Sequence, residues 1–136
     1  MKTLFNTLNQ ILENPKYQAS NGASYFIPGA SQYLNPRSDD SYFETVHIEY
    51  NPTITNSLDG MDEEQAEEVM DTLFEAYKEV IKQVISEYMS EWGESDCKVQ
   101  YLDNEVTILT CQRAGLTLMA NGSDMGFYIT VVHCLC

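Results

Sequence analysis

Apolar residues return every three to four positions at two places in this chain and every second position at several others. From Thr3 to about Glu13, Leu4, Phe5, Leu8, Ile11 and Leu12 fall at helical spacing. Asn14-Pro15 ends that pattern, because the residue before a proline is driven out of the helical region. Residues 15–41 are rich in Asn, Ser, Gly and Pro and read as a long loop, with one edge strand at Tyr25, Phe26 and Ile27 before Pro28-Gly29. Tyr42 to Tyr50 alternates, with Tyr42, Val46, Ile48 and Tyr50 on one face and Phe43, Thr45, His47 and Glu49 on the other. That is the pattern of a half-buried strand, stopped by Asn51-Pro52.

The longest periodic segment runs from Asp62 to about Ser90. Asp62 stands at the N-cap position and Gln65 at the capping-box position. Val69, Met70, Leu73, Phe74, Tyr77, Val80, Ile81, Val84, Ile85 and Tyr88 then form one apolar stripe, and Trp92-Gly93 marks the end. Beyond it, Lys98–Leu102, Glu105–Cys111, Leu116–Ala120 and Phe127–Cys136 read as strands, separated by turns at Asp103-Asn104, at Ala114-Gly115 and at Asn121-Gly122 with its neighbours. With Tyr42–Tyr50 they make a mainly antiparallel sheet of about five strands. The long amphipathic helix can lay its stripe across one face, giving a two-layer α+β domain with a short N-terminal helix. The 136 residues are expected to form a single globular domain, 1–136.

Charge changes this picture most. The chain has 21 Asp and Glu against 7 Lys and Arg, a formal net charge of −14. Between Asp39 and Glu75 there are twelve carboxylates and no cation. A hydrophobic fraction of 43% is too high for a disordered acidic tail, so the charge is displayed on a folded body. Such a field repels nucleic acid, anionic membrane and acidic metabolites, and steers the molecule toward cationic surfaces. The N-terminus lacks the continuous apolar run of an export signal, and no segment approaches the roughly eighteen apolar residues of a membrane span. A cytoplasmic location is expected, with Cys97, Cys111, Cys134 and Cys136 as thiols.

Glu64, Glu68, Asp71, Glu75 and Glu79 follow i, i+3/i+4 spacing opposite the apolar stripe. Five charges over about 22 Å of helix are sparser than the one per roughly 1.7 Å of duplex DNA. Glu63 and Glu67 on the flank, with Asp39, Asp40, Glu44, Glu49 and Asp59, raise the density toward that of phosphates. Carboxylates near a helix N-terminus also complement the macrodipole, by about 0.3–1 kcal/mol each. Solubility, however, needs a net charge of only about 2 to 8. Tyr25, Phe26, Tyr33, Tyr42 and Phe43 border the first acids, and aromatics beside carboxylates suit the gripping of Arg and Lys. The expected partner-binding set is therefore Asp39, Asp40, Glu44, Glu64, Glu67, Glu68, Asp71, Glu75 and Glu79, with Tyr33 and Tyr42.

Other chemistry finds little support. His133, Cys134 and Cys136 lie in a predicted strand and lack the Cys-x2-4-Cys turn that wraps zinc. His47 and His133 are the only histidines that could serve a nucleophile, and no phosphate loop, HExxH or GxSxG pattern is present. No metal, cofactor or enzymatic activity is expected. The expected function is that of an acidic inhibitor docking on a basic, nucleic-acid-binding surface of a partner complex, without direct contact to nucleic acid or membrane and with a homodimer as an option. In general character, though in no motif, this is similar to phage-encoded anti-restriction and anti-CRISPR inhibitors, some of which mimic DNA; such a protein would act in the host cytoplasm. The alternative is an oligomeric module whose loop aromatics close around a small molecule, and a small enzyme is a third.

Overall fold

The computed structural model describes residues 4–36, 41–102, 106–111, 115–123 and 125–134. Helix α1, Leu4–Leu12, buries Leu4 and Leu8. Strands β1, Phe26–Pro36, and β2, Ser41–Tyr50, form an antiparallel hairpin. Helix α2, Pro52–Thr55, starts where the Asn51 side chain accepts from the Thr53 N–H, with proline in the first turn.

Helix α3 spans Glu63–Trp92. The Asp62 side chain accepts from the Gln65 N–H at 2.8 Å, which is the expected cap, and Gly93 at φ 97° closes the other end. Its buried residues, Leu73, Tyr77, Val80, Ile81, Val84, Ile85 and Tyr88, belong to the predicted stripe. Strands β3, Cys97–Tyr101; β4, Val106–Cys111; β5, Leu116–Ser123; and β6, Gly126–Cys134, form the C-terminal meander.

The sheet has six strands, one more than expected, in the order β1-β2-β6-β5-β4-β3, and neighbouring strands run antiparallel. The core lies between one face of this sheet and α3. Val46, Ile48, Leu109, Leu118, Phe127, Ile129 and Val131 meet Tyr77, Val80 and Val84 there, all buried. Tyr77 and Phe127 pack with ring centroids 4.8 Å apart. On the opposite face Met119 and Tyr128 stand exposed, and His47 stacks on Tyr128 at 4.4 Å.

Two expectations need correction. The region 15–41 holds an eleven-residue strand rather than a loop with a short edge piece. Pro28-Gly29 does not end β1 because it falls where the pairing register shifts, between Pro28 and Gln32, on the outermost strand, where a residue without an N–H is tolerated. Asn121-Gly122 is likewise strand, not turn. Gly122 is a packing glycine: a Cβ there would sit 3.0 Å from Tyr77 Cε2. The β5–β6 turn follows instead, and it needs glycine at position 126, where φ is 150° and a Cβ would run into the Ile48 carbonyl oxygen.

Candidate functional site

Helix α3 sorts its residues by flank. Its first half turns Glu63, Glu64, Glu67, Glu68, Asp71, Glu75 and Glu79 to solvent, all exposed. Lys78 reaches Glu75 at 3.4 Å and Lys16 reaches Glu79 at 3.6 Å. Among the described residues, Glu63, Glu64, Glu67, Glu68 and Asp71 meet no cation. Asp59 and Asp62 are exposed in the turn before the helix and extend the same surface. The helix dipole stabilises the first-turn acids and fades beyond that turn, so Asp71, Glu75 and Glu79 gain little from it.

Glu44 does not belong to this surface. It is 2% exposed, and its Oε1 accepts from the Phe5 N–H at 3.4 Å, at the start of α1. It shares the parity of Val46, Ile48 and Tyr50, so the alternation of β2 carries it to the core face. Glu49, on the other face, is half-buried beside His47 Nδ1 at 3.9 Å. Tyr33 takes its place in β1 opposite Thr45, and Tyr42 in β2 opposite Pro36 and His133. Asp39 and Asp40 lie outside the described residues.

The second flank of α3 faces α1. There the Gln83 side chain donates to the Tyr17 hydroxyl at 2.6 Å. A cavity of about 390 Å³ opens near the N-terminal end of α3, with Tyr25, Ile54, Met61 and Leu73 in its wall. The third flank overlooks β3 across a groove holding Lys78, Lys82 and Tyr101. Sequence reading missed this groove, although one signal was present: the i, i+4 row Lys78, Lys82, Ser86, Ser90 contains no acid.

Cys97 and Cys111 are thiols outside any disulfide and stand opposite one another in β3 and β4, with Cys111 Sγ 3.9 Å from the Trp92 carbonyl oxygen. His47 is on β2, separated from β4 by β6 and β5, so its imidazole does not serve these thiols. Among the described residues no three of His, Cys, Asp and Glu gather as a metal site, and no helix is long and apolar enough to cross a membrane. Cys134 is placed in β6 by its backbone, and Cys136 is outside the described residues. Compared with models of known protein families, with curated proteins and with solved structures, the chain finds no match.

Proposed function

We propose that this chain is a cytoplasmic, non-enzymatic binding protein whose acidic α3 face docks on a basic surface of a partner and blocks it by occupancy. The carrying observation is the exposed row of seven carboxylates from Glu63 to Glu79, five of which meet no cation among the described residues. Like charges at i, i+4 destabilise a helix by a few tenths of a kcal/mol per pair, so a row of this kind works against its own helix. A cationic groove would relieve that repulsion on docking. Its natural class is a nucleic-acid channel, whose Lys and Arg are spaced for phosphates. Glu64, Glu67, Glu68, Asp71, Glu75 and Glu79 make the contact, with Asp39 and Asp40 as candidates beside them and Tyr33 and Tyr42 as aromatic grips on Arg. This is the mode of action of inhibitors that imitate nucleic acid, consistent with a phage origin.

A second reading, a small-molecule sequestering module, is favoured by the cavity of about 390 Å³ that includes Tyr25. Ionic strength separates the two. Charge-driven docking on a partner isolated from host lysate should weaken steeply as salt rises, whereas occupation of a partly apolar pocket should barely change. A flat salt dependence of partner binding would reject the acidic-face reading.

A further inference from the structure

Strand β3 is an outermost strand whose neighbour is β4. Just past its end the Leu102 N–H donates to the Val106 carbonyl at 3.1 Å. The register continues from there without a shift, Tyr101 opposite Thr107 and Val99 opposite Leu109. Antiparallel partners alternate between pairs that exchange both hydrogen bonds and pairs that exchange none. With Leu102 in the bonded class, Lys98 and Gln100 bond to β4, and Val99 and Tyr101 aim their N–H and C=O groups off the sheet edge. The same parity puts the Val99 and Tyr101 side chains on the α3 side of the sheet, over the groove. Two adjoining cavities of about 260 and 560 Å³ make up this groove, and Lys82, Ile85 and Tyr101 line both. Open backbone and apolar floor therefore come from the same two residues. Tyr101 and Leu102 are 68% and 62% exposed at this edge.

The charge on the groove departs from that of the rest of the molecule. Its α3 rim is the row Lys78, Lys82, Ser86, Ser90, and Lys98 adds a cation on the other side of β3. Three of the seven cations thus surround one edge strand in a chain of net charge −14. Glu79, next to Lys78 in sequence, is drawn to Lys16 on the opposite flank. Glu75 stays close, paired with Lys78 at 3.4 Å, but both are exposed and a ligand carboxylate can exchange with it.

We propose that this groove takes an extended acidic peptide added to β3 as a further strand, with apolar and carboxylate residues taking turns at every second position. Its backbone pairs with Val99 and Tyr101; of the side chains on its α3 face, the apolar ones lie over Ile85 and the carboxylates meet Lys82 and Lys78, and the residues between them face away from α3. A second copy of this chain is the poorer occupant, since its own edge would bring another cationic rim of Lys78 and Lys82 to the groove instead of carboxylates. The site takes the opposite charge to the acidic row and lies on a different flank of α3, bordering that row only where Glu75 pairs with Lys78.

The test uses a blocked peptide of about seven residues with Glu and Val taking turns at the odd positions and Thr between them, enough to span a strand of ordinary length. A Gln and Val analogue and a version N-methylated at alternate amides serve as comparisons, all at near-physiological salt. Binding is followed by peptide fluorescence anisotropy and by amide chemical shifts of the protein. The Glu peptide should saturate with the largest shifts at Val99 and Tyr101, and the Gln peptide should bind about ten-fold more weakly. The Lys78→Gln, Lys82→Gln double variant should lose that preference, and N-methylation of the edge-facing amides should abolish binding. The protein with its acidic row changed to Gln should bind the Glu peptide undiminished. No saturation at millimolar peptide, equal affinity for the Glu and Gln peptides, or indifference to N-methylation would each overturn the proposal.

Discussion

Two buried polar side chains hold α1 and its neighbourhood to the rest of the fold. Tyr17 is 2% exposed, and its pKa is pushed up from 10.0 to about 12, first by burial and then by the nearby Glu79 carboxylate. The unfolded chain therefore releases this proton at lower pH than the folded one. The stabilisation is complete below pH 10 and is lost as pH rises toward about 12, by up to about 3 kcal/mol. Urea unfolding of the wild type and of Tyr17→Phe should show curves that converge over this window, since the variant has lost the group. A constant gap between them would assign the alkaline loss of stability to other residues. Glu44 acts at the start of α1. Glu44→Ala should destabilise by about 1–3 kcal/mol, the cost of a buried donor left unsatisfied, and Glu44→Gln, which keeps an acceptor, by less. If the Ala variant unfolds at the wild-type urea concentration, the Phe5 contact contributes nothing. The burial of Glu44 was legible in the parity of β2, where it alternates in step with Val46 and Ile48; its capping contact was not, because it joins positions 39 residues apart in sequence.

At the scale of elements, α3 was legible nearly end to end because one period, one capping side chain and one terminal glycine agree over thirty residues. Strand β2 was equally plain. What escaped was set by tertiary contacts: β1 tolerates Pro28-Gly29 because it is outermost, and Gly122 is a strand residue because the Tyr77 ring lies over it. The same holds for the candidate site. The acidic row could be read from helical spacing alone, but the cationic groove exists only once β3 is known to be the edge beside α3. The division of α3 into a buried stripe and an acidic face predicts opposite responses to charge change. Val84→Asp places an unpaired carboxylate at a fully buried position and should abolish cooperative thermal unfolding, since several kcal/mol are taken from a total of about 5–15. Glu68→Gln, at an exposed position, should melt within about a degree or two of the wild type. Equal melting of the two variants would contradict the register of the helix.

The molecule as a whole is one layer of helix on one layer of sheet with its charge unevenly spread. The exposed acids from Asp59 to Glu79 concentrate on the turn before α3 and its first half, cations surround the β3 edge, and the uncovered sheet face carries His47, Tyr128 and Met119. The acidic face is the central functional claim. Changing Glu64, Glu68, Asp71, Glu75 and Glu79 together to Gln should preserve the fold and relieve like-charge repulsion along the helix. Single exposed pairs contribute about 0–1 kcal/mol, so five together should weaken partner binding by roughly two to three decades, much of it through slower association. The most direct measurement is competition on the partner isolated from host lysate: its binding to the wild-type chain and to the five-fold Gln variant, with and without short duplex or guide-bound nucleic acid. The account predicts mutually exclusive binding of nucleic acid and wild-type chain, and little binding of the variant. A partner that holds nucleic acid and this chain together at full affinity, or that binds the variant as tightly as the wild type, would contradict it.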